Sequence, residues 1–356
     1  MLKNNSAIFC MVFFLLFGFC DTSVSGDLES IKTIPIARNN PQTPEKVELG
    51  KMLFFDRRLS GDGTMSCVTC HIPELGFTDG QAISLSYPTT KHWRNTQTVL
   101  NSAFFKALFH DGRAESLEDQ ALFPILSAFE MNQNLDYLEE ELRAVPDYLE
   151  AFRRAFGTDD ITRQRIAMAL AAFERTLISR NAPIDKYLDG YEGALSAEAK
   201  KGLKIFTGKG KCAECHDGVA LSDNKYHSLN VPENVAFEKD PRVAAARRFV
   251  AKFNHFEEFR TLKEDPGRYL ITKEDSDWKA FRTPTLREIS RTAPYMHNGI
   301  FETLDEVIEF FDRGGGSGNS ALNPLGLTQE EKKVLKVFLI EALTGDTIEL
   351  KHPDVP

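Results

Sequence analysis

Four cysteines and two histidines stand in two copies of one pattern, Cys67-Val-Thr-Cys70-His71 and Cys212-Ala-Glu-Cys215-His216. Few chemistries need that spacing. Two intervening residues let one helical turn present both sulfurs to one edge of a porphyrin, each thiol adding to a vinyl group, while the adjacent imidazole reaches the iron from one face. Three other readings compete. A structural disulfide suits an exported protein but does not require the following histidine. A thioredoxin-like dithiol belongs in a β-α-β setting, which the flanking sequence lacks. A zinc ribbon sets its two C-x-x-C knuckles much closer together. The remaining two of the six cysteines, Cys10 and Cys20, fall in the N-terminal apolar run, so each motif has its histidine and no thiol is left over. The pattern predicts two covalently bound haem c groups, attached through Cys67, Cys70, Cys212 and Cys215, with His71 and His216 as iron ligands.

The elements that must position these motifs read as helices. Thr43 caps a pattern with Pro44 at its first position and Val47, Leu49, Met52, Leu53 and Phe54 following, which runs toward the first motif. Ser196 caps a second, with Leu203, Ile205 and Phe206, which runs into the other motif. This weak internal repeat predicts two small cytochrome c-like domains in tandem and an all-α fold. Further helices are expected over 117–129 after Ser116, over 161–179, after the capping box of Thr303 and Glu306, and from Thr328 with Glu331 to the neighbourhood of Gly345. Gly314 stops the third of these. No run alternates like a strand. Residues 181–195 read as a domain link, giving domains 27–187 and 188–356, and the charged stretch 232–277 reads as a long, partly helical excursion.

Lys3 precedes a continuous apolar run from Ala7 to Cys20, followed by small residues through Gly26, the pattern of a secretory signal peptide over 1–26 and of a periplasmic mature protein. The run is short for a membrane span, and Phe19 before Cys20 is unlike a lipoprotein signal. With 356 residues, 42% hydrophobic and 27% charged, the chain has the composition of a soluble globular protein of two domains plus a leader. A net charge of −9 argues against nucleic-acid binding.

Beyond the haem motifs, the first half carries Arg94-Asn95-Thr96-Gln97-Thr98-Val99-Leu100-Asn101, Phe109-His110-Asp111-Gly112-Arg113-Ala114, Leu117-Glu118-Asp119-Gln120 and Phe129-Glu130-Met131. The second carries Phe281-Arg282-Thr283-Pro284-Thr285-Leu286-Arg287 and Thr292-Ala293-Pro294-Tyr295-Met296-His297-Asn298-Gly299. On these strings the chain resembles the bacterial diheme cytochrome c peroxidase family, including its MauG branch, over nearly the whole mature length. The resemblance implies a peroxidatic haem in 27–187 and an electron-transfer haem in 188–356. It makes His71 the proximal ligand of the peroxidatic haem and puts Gln120 and Glu130 in its distal pocket. Glu130 is the better proton carrier, because a carboxylate beside a haem can take a proton and return it. Asn95, with the backbone carbonyls of Thr292 and Pro294, matches the family's calcium site, and all-oxygen ligation suits calcium.

Three positions depart from that pattern. Tyr87 occupies the loop position where the family carries a histidine ligand, so the first haem is expected to be open and high-spin; nearby His92 reads as a solvent-exposed histidine, with reversible ligation the alternative. His110 stands where a tryptophan usually separates the haems, and imidazole is harder to oxidise than indole. Phe311 stands where the second haem normally gains a Met or Tyr ligand. Met296 and His297 are close in sequence, and His227 reads as structural. The leading expectation is a peroxidase that reduces hydrogen peroxide with electrons from a small cytochrome c or copper protein. A MauG-like enzyme that oxidises residues of a partner protein, and a non-catalytic electron carrier, are the competing readings; a homodimer is compatible with each.

Overall fold

The computed structural model describes residues 27–318 and 320–356. The leader expected over 1–26 lies outside them. No helix among the described residues is long and apolar enough to cross a membrane. The elements that build the site are α1 (Pro44–Phe55), α2 (Leu117–Leu126), α3 (Arg163–Glu174), α4 (Ala197–Thr207), β1 (Tyr226–Ser228), α5 (Pro241–Phe253), β2 (Ala280–Arg282), α6 (Leu304–Asp312) and α7 (Gln329–Val337).

The two halves repeat one device, a helix pair crossing at a glycine. A Cβ at Gly50 of α1 would sit 1.9 Å from the Ala169 carbonyl oxygen of α3, and a Cβ at Gly202 of α4 would sit 2.1 Å from that of Val334 in α7. No side chain fits in either gap, so glycine sets how closely each pair approaches. Around the first crossing Leu49, Leu53, Phe54, Leu138, Phe152 and Phe173 form one core. Around the second Phe206, Ile308, Phe310, Leu335 and Phe338 form another. The expected caps are present: the Thr43, Ser116, Ser196, Thr303 and Thr328 hydroxyls each accept a backbone N–H of the first turn.

Several details differ from the sequence reading. Helix α2 ends at Leu126 rather than near Phe129. Pro124 lacks the N–H that would bond back to Gln120, and the chain turns instead, with Glu130 N–H donating to the Ser127 carbonyl and Met131 N–H to that of Pro124 at 3.0 Å each. That turn brings Glu130 back toward the helix that carries Gln120. Helix α3 stops at Glu174 because the next residues pair elsewhere: Asn101 N–H donates to the Leu177 carbonyl, and Ser179 N–H to Asn101 Oδ1. A short antiparallel ribbon, with His227 opposite Phe281, interrupts the otherwise helical chain. Its three-residue strands are too short to leave an alternating signature. The segment read as a link is packed, with Ala182 and Ile184 fully buried in the second core. Residues Ile348, Leu350 and Val355 return to pack on the first core.

The 232–277 excursion is partly helical, as expected, and it braces the first motif's surroundings. Val243 and Ala246 of α5 pack with Ile83, Trp93, Phe129 and Phe237. Beside them lies a buried charge cluster. The Arg94 guanidinium donates to Asp265 through Nε at 2.7 Å and Nη2 at 2.8 Å, and to Asp111 through Nη1 at 2.5 Å. Trp93 Nε1–H donates to the same Asp265 at 3.1 Å. Burial opposes a charge on Asp265, but the Arg94 charge and its hydrogen bonds outweigh it and hold the carboxyl far below the usual range. Removing one member of a buried ion cluster leaves the other charge uncompensated. Asp265→Asn is therefore expected to lower the unfolding free energy of the holoprotein by about 3 kcal/mol at pH 7 in urea titrations. A depressed carboxyl contributes its stability above the unfolded pKa and loses it as pH falls, so the gap between parent and variant should narrow below about pH 4.

Candidate haem-binding active site

Each motif opens on its own cavity. Cys212, Cys215 and His216 line a space of about 520 Å³, within the ~300–1,000 Å³ span of cofactor pockets. Its far walls are apolar, from Phe206, Leu304, Val307, Ile308, Leu335 and Leu339. Cys67, Cys70 and His71 line a smaller space of about 160 Å³. The two cavities share Asn95, Thr96, Gln97, Thr98, Phe105, His110 and Arg282 as a common wall.

Both histidines are presented in the form that binds iron. His71 Nδ1 lies 3.1 Å from the Phe77 carbonyl oxygen, and His216 Nδ1 lies 3.0 Å from that of Leu221. A carbonyl only accepts, so the hydrogen sits on Nδ1 and the lone pair of Nε2 is left for a metal. Burial lowers the pKa of each and keeps the ring neutral. The four thiols are free, and burial pushes Cys70 and Cys212 up to about 12 and Cys67 in the same direction. The two pairs open on different cavities, so they do not come together as the four ligands of one zinc site. The donor set thus fits haem at each motif.

The distal residues expected from the sequence converge on the first cavity, whose walls include both Gln120 and Glu130. Burial would raise the Glu130 pKa, but the approach of His92, with the Arg113 charge, outweighs it and holds the carboxyl below its ordinary value. His110 stands on the shared wall with Nε2 3.0 Å from the Asn95 carbonyl oxygen, and burial together with the Arg94 charge lowers its pKa to about 3. Asn95 ties the halves together. Its N–H donates to the His297 carbonyl at 2.7 Å and its amide to the Gln81 carbonyl at 2.6 Å, while Thr292 and Pro294 line the second cavity. Phe311 lines that cavity too, with Met296 and His297, whose ring stacks on Phe281 at 3.8 Å. Tyr87 is not among the residues lining the first cavity, but His92 is. The reading of His92 as solvent-exposed is corrected: its side chain is 12% exposed, with Nε2 3.3 Å from Glu130 Oε1. Trp93 packing beneath the ring pulls it inward.

One buried group was missed. Glu174, at the end of α3, lines the first cavity, and burial pushes its carboxyl up to about 8, with the Glu118 charge adding and Arg175 opposing. A lone acid closing the apolar run Ala169-Leu170-Ala171-Ala172-Phe173 was its only trace in the sequence.

Comparison with known proteins agrees with this architecture. A family model described as Di-haem cytochrome c peroxidase matches residues 44–193. Cytochrome-c peroxidase IdrP1 of Pseudomonas sp. (strain SCT) is 44% identical over 328 residues, covering 89% of this chain and 85% of that protein. Methylamine utilization protein MauG of Methylorubrum extorquens is 36% identical over 329 residues, covering 91% of this chain and 85% of that one. The crystal structure of a MauG-like protein associated with microbial copper homeostasis superposes with a TM-score of 0.75 at 30% identity, covering 89% of this chain and 94% of that one. Two haem motifs on two adjoining cavities, in a chain alike to these relatives over most of their length, lead to one assignment: the chain belongs to the di-haem cytochrome c peroxidase family.

Proposed function

We propose that this protein is a periplasmic di-haem peroxidase that reduces hydrogen peroxide to two waters with two protons and two electrons, the electrons coming from a small cytochrome c or copper protein. The observation that carries the reading is that Gln120 and Glu130 line the same cavity as Cys67, Cys70 and His71. Haem bound at the two motifs supplies the redox chemistry. The chain's own residues supply the rest. Cys67 and Cys70 tether the peroxidatic group in 27–187, and His71 ligates it. Cys212, Cys215 and His216 do the same for the electron-entry group in 188–356. Glu130 takes a proton from one peroxide oxygen and returns it to the other, and the Gln120 amide orients the substrate. His110, neutral on the shared wall, holds the Asn95 segment between the two sites. With its amide donating to Gln81, Asn95 keeps Oδ1 for a cation, and that oxygen with the Thr292 and Pro294 carbonyls is a calcium-type donor set.

A pyridine haemochrome assay tests the cofactor content, with two haems per chain expected, and loss of one expected on replacing Cys67 and Cys70. Steady-state peroxide consumption with a reduced small redox protein tests the activity. One haem per parent chain, or two haems without peroxide turnover, would overturn the reading. Tyr87 being off the first cavity's wall also favours a MauG-like enzyme acting on a partner protein. That reading predicts that peroxide consumption depends on the partner and not on a reduced carrier.

A further inference from the structure

His92 was an incidental residue in the sequence, yet it touches the proton carrier assigned above. Its Nε2 lies 3.3 Å from Glu130 Oε1, and both side chains line the first cavity. The other ring nitrogen fixes which tautomer faces the carboxylate. Nδ1 lies 3.0 Å from the Arg94 backbone N and 3.1 Å from the Arg94 carbonyl oxygen. A hydrogen on Nδ1 would collide with the Arg94 amide hydrogen, and in the neutral ring it would turn the bare Nε2 lone pair against a carboxylate. With Nδ1 accepting from Arg94 N–H, Nε2 carries its hydrogen toward Glu130, and both contacts are favourable.

The imidazole is itself held from behind. It lies parallel to the Trp93 indole, 4° between planes and 5.0 Å between centroids. Trp93 is anchored through Nε1–H to Asp265, which is fixed in turn by Arg94. Trp93 and Asp265 thus hold the ring from outside the residues that line the cavity, while Arg94 reaches both the ring and the cavity wall. A carboxylate that must move a proton between two atoms of a small substrate gains from such a support, since unrestrained rotation would spread it over unproductive positions. The contact is longer than a good hydrogen bond, as is common for catalytic contacts in the absence of substrate.

We propose that His92 is the positioning residue for Glu130: its Nε2–H holds the carboxylate toward the first-haem cavity, and Trp93 and the Arg94 backbone hold the imidazole in place. The proposal rests on Glu130 being the proton carrier. The other titratable or charged groups that act on that carboxylate are Arg113, His71 and Cys70. Of these and His92, only His92 brings a donor against it from the 79–95 loop.

The test uses the full holoprotein in four forms: parent, His92→Phe, His92→Gln and Glu130→Gln. Phenylalanine keeps a flat ring on Trp93 and removes the donor. Glutamine puts an amide N–H near the place of Nε2. Three readouts are taken: the rate of peroxide reaction, the pH midpoint of the Glu130 carboxyl infrared band (assigned by its loss in Glu130→Gln), and the electron paramagnetic resonance spectrum. His92→Phe is expected to slow the reaction about 10-fold, to move the carboxyl midpoint upward and to leave the first haem's spin state unchanged. His92→Gln is expected to recover most of both changes. A His92→Phe protein with parental rate and midpoint, while Glu130→Gln is slow, overturns the positioning role alone. A parental rate in Glu130→Gln removes the reading on which the proposal stands. A low-spin first haem in the parent that becomes high-spin in His92→Phe also overturns the proposal, because His92 is then an iron ligand.

Discussion

Glu130→Gln is expected to yield a protein that carries both haems and reacts with hydrogen peroxide about 10²–10⁴-fold more slowly than the parent. Glutamine has nearly the same shape, and its carbonyl can still accept from His92, so cavity and attachment survive while the capacity to take a proton is lost. The size of the effect depends on the carboxyl being ionised at neutral pH. Burial acts against that, but His92 and Arg113 outweigh it, so the Glu130 pKa lies below its ordinary value. The parent should react at a rate that is flat through neutral pH and falls only as the medium approaches the carboxylate range. The variant should lack that acid limb. Stopped-flow mixing with peroxide across pH reads both features, and haem absorbance of the two proteins controls for loading. A variant reacting at the parental rate with the parental pH profile would show that the proton travels by another group, and Glu174, buried on the same cavity with its carboxyl pushed up to about 8, is the next acid to replace.

Much of this arrangement was legible in the sequence because it is written in local chemistry. The two Cys-x-x-Cys-His motifs carry their own geometry within a single turn. The capped helices announce themselves through Thr43, Ser196, Thr303 and Thr328, whose side chains accept the backbone hydrogens that a helix start leaves over. What was not legible depends on residues far apart in the chain. Asp265 lies 171 positions from Arg94, and neither residue type signals the pairing. His92 read as exposed because that is the plainer reading of a lone histidine, whereas in the fold the ring stacks on buried Trp93 and the neighbouring Arg94 pairs with buried Asp111 and Asp265. Gly50 and Gly202 fall inside helical patterns, with nothing beside them in the sequence to mark their role. Only the opposing backbone shows that each is the point where two helices meet. The short ribbon of β1 and β2, three residues a side, is likewise set by pairing across more than fifty residues and not by alternation.

Phe311→Met is expected to turn the second haem from a five-coordinate, high-spin group into a six-coordinate, low-spin one and to shift its reduction potential on the order of 0.1 V, a modest part of the ~0.8 V that axial ligands span. The argument starts from α6, whose register is fixed at its start by the Thr303–Glu306 capping box. Successive residues of a helix point about 100° apart. Phe310 is fully buried in the second core, and Phe311, its ring at 90° to that of Phe310 with centroids 5.6 Å apart, lines the cavity that His216 enters. An apolar ring therefore stands in the wall at the position where the family resemblance leads one to expect a donor, and phenylalanine has no atom that binds iron. Methionine at the same position puts a thioether on an unbranched, flexible side chain of similar reach. Resonance Raman of the His216-ligated haem, before and after the substitution, reads the coordination number directly. The residue to watch is Met296, whose backbone is held in the left-handed region at φ 73° and which lines the same cavity. If the unmodified second haem is already six-coordinate and low-spin, and Phe311→Met leaves it unchanged, Met296 is the first residue to test as its ligand. The electron-entry site would then be built from the loop before α6 and not from α6 itself.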